Sequence, residues 1–162
     1  MADTKHTLTA LVEDKPGVLN RIASLFRRRG FNIESIAVGG SEQPGLSRMT
    51  VVVKGDSAAV EQVRKQLDKL INVVKVTDIT EEEIVARELA LIKVKTTPST
   101  RSEVIQIVDI FRANIVDVAS DSLTVEVTGD EDKVDSLLEL LRSFGINEIS
   151  RAGRVALTRG RL

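Results

Sequence analysis

From Thr7 to Val12 the apolar residues Leu8, Ala10 and Val12 alternate with Thr7 and Thr9, the two-residue period of a half-buried strand. The period then lengthens: Leu19, Ile22, Ala23 and Phe26 fall at helical spacing after Val18, and Gly30 stands where such a helix would stop. Ile33 to Val38 reads as a strand. The glycine-rich run 39–45 reads as a turn, and Ser47 to Val53 as another strand with Met49, Val51 and Val53 on one face. Val60, Val63, Leu67 and Leu70 set a second helix, and Val73 to Ile79 a fourth strand. The order is βαββαβ.

The second half repeats it. Leu89 to Val94 predicts a strand, Val104, Ile107, Val108 and Phe111 a helix, and Ile115 to Ala119 and Leu123 to Val127 two strands. A helix through Val134, Leu137, Leu138, Leu141 and Phe144 and a last strand within 146–157 follow. The copies agree residue by residue. Val51, Val53, Gly55, Asp56, Val60, Val63 and Leu67 match Val125, Val127, Gly129, Asp130, Val134, Leu137 and Leu141 at one constant offset. Asn32-Ile33 likewise pairs with Asn114-Ile115. The expected fold class is α+β, two tandem ferredoxin-like βαββαβ domains, each with two helices on one face of a four-stranded antiparallel sheet. The acidic stretch Thr80 to Arg87 is the natural joint, which sets expected boundaries of 1–80, a linker 81–87, and 88–162. Helices on one face leave the other face and the edge strands in need of partners, so oligomerisation is expected.

Composition narrows the chemistry. Of 162 residues, 42% are hydrophobic and 29% charged, a globular profile. No apolar run approaches the roughly 18 residues of a membrane helix, and residues 1–6 lack the apolar core of a signal peptide. With no cysteine there is no disulfide framework, and a cytoplasmic setting is expected. A net charge of −1 and four phenylalanines as the whole aromatic complement argue against nucleic acid. Arg27-Arg28-Arg29 reads as a charged helix end. The single histidine, His6, is expected to be exposed at the start of a strand without a local partner, so no catalytic or metal-ligating residue is assigned.

One stretch stands out. Asp14-Lys15-Pro16-Gly17 sits between the first strand and the first helix, and the second copy has Thr96-Thr97-Pro98-Ser99-Thr100-Arg101 there instead. Pro16 suits the start of a helix, and Gly17 permits close backbone approach. The free N–H groups at Val18 and Leu19 could receive a carboxylate while Asp14 accepts from an ammonium, as a small zwitterion requires. Alternatively Asp14 simply caps the helix and the stretch is a bare turn.

Around this loop, "LVEDKPGVLNRIASLFRRRGFNIESIAVG" with "GLSRMTVVVKGD", "LDKLINVVKVTDI", "RELALIK" and the ending "SRAGRVALTRG" closely resembles the small regulatory subunits of acetolactate synthase (acetohydroxyacid synthase). The resemblance implies an N-terminal ACT domain, an ACT-like C-terminal domain, and a regulatory chain that is not itself an enzyme. It implies binding to and activation of a catalytic large subunit that makes 2-acetolactate from pyruvate, or 2-aceto-2-hydroxybutyrate with 2-oxobutyrate. It also implies feedback by a branched-chain amino acid, usually valine. Thiamine diphosphate, Mg and FAD are then expected on the large subunit and no cofactor on this chain. ACT domains of the family pair side by side, with the effector between the strand-to-helix loop of one copy and the second strand of the other. Carried onto this chain, the effector residues are Asp14, Lys15, Pro16, Gly17, Val18 and Leu19 on one side and Asn32 and Ile33 on the other. Many relatives have asparagine at the position of Asp14. A stand-alone ACT-type amino-acid sensor is the alternative reading.

Overall fold

A computed structural model describes residues 4–160. They form two compact units, one of residues 4–85 with 153–160 and one of residues 86–152. In the first, β1 (Thr4–Glu13), α1 (Val18–Arg28), β2 (Asn32–Gly40), β3 (Leu46–Gly55), α2 (Ser57–Asp68) and β4 (Val73–Asp78) build an antiparallel sheet of order β2-β3-β1-β4. The alternating residues Leu8, Ala10, Val12 and Met49, Val51, Val53 face Val18, Ile22 and Phe26 of α1 and Val60, Val63 and Leu67 of α2 in one core. Each fully buried side chain of this size contributes about 1.5–3 kcal/mol. α2 starts on Asp56, whose carboxylate accepts from Ala58 N–H at 3.1 Å.

The second unit follows the same plan with β5 (Ile84–Lys95), α3 (Arg101–Ile110), β6 (Asn114–Val118), β7 (Ser122–Gly129), α4 (Glu131–Arg142) and β8 (Ile146–Arg151), in the order β6-β7-β5-β8. Its core gathers Ala90, Ile92 and Val94 with Leu123, Val125 and Val127 under both helices. The repetition extends to irregularities. The register of β2 on β3 slips just after Asn32-Ile33, and that of β6 on β7 just after Asn114-Ile115. β1 slips against β4 at Leu11/Val12, and β5 against β8 at Lys93/Val94. Bulges of this kind bend a strand and raise its twist.

At the C-terminus the contacts and the expected boundaries differ. A strand was expected within 146–157; the structure has two, β8 and β9 (Val155–Thr158), and residues 153–160 group with the first unit although 88–162 was expected as one domain. The expected ends at 1 and 162 lie outside the described residues. Gly153 packs on β2 so closely that a Cβ there would sit 2.7 Å from the Ile36 carbonyl oxygen. Arg154 donates to Thr7 Oγ1 at 3.1 Å, and Arg159 N–H to the Glu83 carbonyl at 2.8 Å. Ile84, the first residue of β5, falls inside the expected linker 81–87. The sheet face opposite the helices, expected to need an outside partner, is thus partly met by the chain itself, and Thr7, Thr50 and Val52 are buried on it. Gly153→Ala is expected to loosen this segment, because backbone atoms cannot yield as a flexible side chain can. A loss of about 1–3 kcal/mol should appear as faster amide exchange at Ala156 and Leu157 with α2 unaffected.

The expectation for His6 needs correction: it is buried, and it has partners. Nδ1 lies 3.3 Å from Asp78 Oδ2 and Nε2 2.8 Å from Thr4 Oγ1. A carboxylate can only accept, so Nδ1 donates to it, and Nε2 shares a hydrogen bond with the threonine hydroxyl. Asp78 Oδ1 accepts in turn from the Thr80 hydroxyl and amide, and Thr80 Oγ1 accepts from Thr7 N–H. The network joins β1 to the end of β4. His6 and Asp78 are 72 positions apart in sequence, so local spacing could not reveal their contact.

Candidate functional site

The β1–α1 loop is held from beneath and open above. Asp14 N–H donates to the Gly45 carbonyl at 2.9 Å and Glu13 N–H to that of Asn72 at 2.8 Å, which ties the loop to the β2–β3 turn and to the α2–β4 connection. Lys15 Nζ reaches Glu13 Oε2 at 2.7 Å, Asn72 Nδ2 donates to the same oxygen at 3.2 Å, and Arg21 donates to Asn72 Oδ1 at 2.7 Å. These anchors, Glu13, Arg21, Gly45 and Asn72, were not singled out in the sequence. Gly45 had a signal, because it closes the glycine-rich turn; the other three had none.

Gly17 occupies the N-cap position of α1 in the left-handed region, φ +84°, and no side chain caps the helix. That decides one point the sequence left open: Asp14 does not cap α1, and its side chain is exposed. Only a weak 3.4 Å contact to the Lys15 carbonyl engages Val18 N–H, and the helix bonding resumes at Arg21 N–H to Gly17 O, 3.0 Å. The first turn therefore presents amides and the positive end of the helix dipole toward the loop. Leu19 is 45% exposed beside them, while Val18 is buried in the core rather than offered to the loop.

The equivalent place in the second unit is filled. Thr97 N–H donates to Thr100 Oγ1 at 2.8 Å, the Thr97 hydroxyl bonds to those of Ser99 and Thr100, and Arg101 reaches the carbonyls of Ala119 and Ser120. Both α1 and α3 begin without a side-chain cap, but the loop before α3 is bonded to itself and to Arg101 while the one before α1 leaves its side chains exposed.

Asn32 and Ile33 lie elsewhere. Asn32 pairs with Lys54, which pairs with Lys5 at the start of β1, whereas the loop follows Glu13 at the other end of that strand. Eight residues separate the two rows, about 27 Å at the ~3.4 Å rise of an antiparallel strand. Within one chain the two groups of expected effector residues do not meet. Gly39 and Gly40, at the far end of the same edge strand, pair with Arg48 and Ser47 beside the loop.

Electrostatics sharpen the lower half of the loop. The Lys15 ammonium first, and the Asn72 amide second, hold the Glu13 carboxyl below the usual carboxylate range. A lowered folded value means that the ionised, bonded form supports the loop at neutral pH, and that this support is lost as pH falls through that lowered value. A carbon NMR titration of the Glu13 carboxyl should show a midpoint below that of an unstructured glutamate, and Asn72→Ala should move it back upward.

Among the described residues, no cluster of three or more His, Asp and Glu side chains could hold a metal, and no helix is long and apolar enough to cross a membrane.

Comparison with known proteins gives the family. Residues 8–75 match the family "AHAS small subunit-like ACT domain" and residues 87–160 the family "Small subunit of acetolactate synthase". A probable acetolactate synthase small subunit of Archaeoglobus fulgidus is 58% identical over 156 residues, 96% of this chain and 98% of the relative. The acetolactate synthase small subunit of Mycobacterium bovis is 55% identical over 160 residues, 99% of this chain and 95% of the relative. The solved acetolactate synthase small subunit of Thermotoga maritima superposes with a TM-score of 0.90 at 46% identity, covering 98% of this chain and 99% of that one. With two near-identical βαββαβ plans, full-length identity above half and a matching solved fold, the chain belongs to the acetolactate synthase small-subunit family, whose role is regulatory.

Proposed function

We propose that this chain binds a catalytic acetolactate synthase large subunit, raises its activity, and makes it responsive to a branched-chain amino acid, with valine the effector. The effector's carboxylate rests on the uncapped first turn of α1 at Gly17 to Leu19, and its ammonium is taken by Asp14. Lys15 and Pro16 shape the loop, and Val18 acts from the core. Asn32 and Ile33 come from a second copy. The separation of the loop and Asn32 at opposite ends of one sheet supports this reading. β2 is an edge strand, and antiparallel pairing of two β2 edges about a two-fold axis runs Asn32 of one copy alongside Gly40 of the other, next to its loop.

Binding across such an interface favours one dimer arrangement, and a coupling of about 1–3 kcal/mol to the catalytic subunit is typical of allosteric linkage. Thiamine diphosphate, Mg and FAD belong to the large subunit in this scheme, and the assembly works in the cytoplasm. The two units then divide the labour, with the effector bound by the first.

The test is acetolactate formation from pyruvate by the large subunit alone, by this chain alone, by both, and by both with each branched-chain amino acid. Stimulation by this chain and inhibition by valine only in the mixture are expected. Turnover by this chain alone, or no effect on the large subunit, overturns the proposal.

A further inference from the structure

The sheet face opposite the helices carries a cleft that the effector reading does not use. Strand register sets Arg48, Leu11 and Lys75 side by side in one cross-strand row over β3, β1 and β4, and Thr50, Thr9 and Thr77 in the next row on the same face. Residues Ala156 to Thr158 of β9 form the facing wall, and about 320 Å³ lies between. That is the lower end of the roughly 300–1,000 Å³ usual for small-molecule sites. The walls combine hydroxyls from Thr9, Thr77 and Thr158, apolar surface from Leu11 and Leu157, and two cations.

The cations are not equivalent. Arg48 is engaged by Glu42, 2.6 Å from guanidinium nitrogen to carboxylate oxygen, whereas Lys75 is exposed and no carboxylate of the described residues pairs with it. One positive charge is left over. Beyond Thr77 and Thr158 a neighbouring cleft is lined by Glu82 and Glu83 against the single cation Arg159, so a second negative charge on a ligand would meet repulsion.

We propose that this cleft is a second ligand site, for a small monocarboxylate with a short aliphatic chain. Its carboxylate lies on Lys75 Nζ and the threonine hydroxyls, as charge-assisted hydrogen bonds favour, and its chain lies between Leu11 and Leu157. The site stands on the face away from α1 and does not depend on the effector reading.

Isobutyrate is the probe, titrated in the millimolar range into the full chain and followed by amide NMR. Isobutylamine, with the same carbon skeleton and the opposite charge, and inorganic phosphate, with more than one charge, are the controls. Saturable shifts at Thr9, Thr77 and Ala156 are expected with isobutyrate, none with the amine, and weaker ones with phosphate. Lys75→Met, a change at an exposed side chain, should weaken isobutyrate at least tenfold, while Gly17→Asp should leave it unchanged. No saturation, or equal affinity in Lys75→Met, overturns the site. Tighter binding of phosphate overturns the assignment to a monoanion, and loss of binding in Gly17→Asp moves the ligand to the loop. Valine inhibition persisting in Lys75→Met, or failing altogether in the native assembly, speaks only to the effector reading.

Discussion

Gly17→Asp is expected to leave the paired enzyme stimulated and to remove its response to valine, raising the half-inhibiting concentration at least tenfold in the acetolactate assay. Two effects act together at this position. The substitution sets a carboxylate where the effector's own carboxylate approaches the first-turn amides, so like charges compete for one receptor. It also places a side chain at φ +84°, which L residues adopt only at a cost of about 1 kcal/mol. The fold should tolerate this, because a Cβ at Gly17 meets no atom within 4 Å. Asn32→Ala tests the other half-site at an exposed position, and a weaker shift in the same direction is expected. Loss of stimulation together with feedback, in a folded Gly17→Asp protein, would show that the effector and activating surfaces are one. An unchanged valine titration in both variants would remove the loop from the site.

Phe26→Ala is the largest expected loss of stability, about 3–5 kcal/mol. Phe26 is fully buried where α1 crosses the sheet, and its ring meets Phe31 edge-on, with centroids 6.2 Å apart and planes at 81°. Such pairs add about 0.5–1.5 kcal/mol to the area term. Phe31 is itself seated over Gly55, in the space that a Cβ there would occupy, so the aromatic pair has no room to close over the cavity by shifting toward β3. Urea unfolding followed by the exchange of β1 and β3 amides measures the change. A loss below about 1 kcal/mol would mean that the site collapses freely, against the packing described.

The elements themselves were legible because the two periods are strong. Leu8, Ala10 and Val12 alternate where β1 forms, and Val60, Val63 and Leu67 repeat where α2 forms, so each burial pattern could be read from its own window. Helix ends were less so: Phe111 and Phe144 lie just beyond α3 and α4 and pack from the following turns. His6 was misjudged for a different reason. Its surroundings come from Thr4 two residues away and from Asp78 and Thr80 across the sheet, and the long-range half of that set has no local trace. The loop was half legible. Pro16 and Gly17 marked it, but the uncapped amides and the anchors Glu13, Arg21 and Asn72 became visible only when three connections met at one end of the sheet.

By itself the sequence determined two βαββαβ copies, the family, and a strand-to-helix loop in which the copies differ, because each rests on neighbours within a few positions or on an offset between repeats. Only the tertiary structure decided that 153–160 returns to the first unit, that Asp14 leaves the helix uncapped, and that the loop and Asn32 stand at opposite ends of one sheet. These depend on strand register and on contacts between residues far apart in the chain. A register follows from the sum of many side-chain pairings, and no single stretch of sequence carries it.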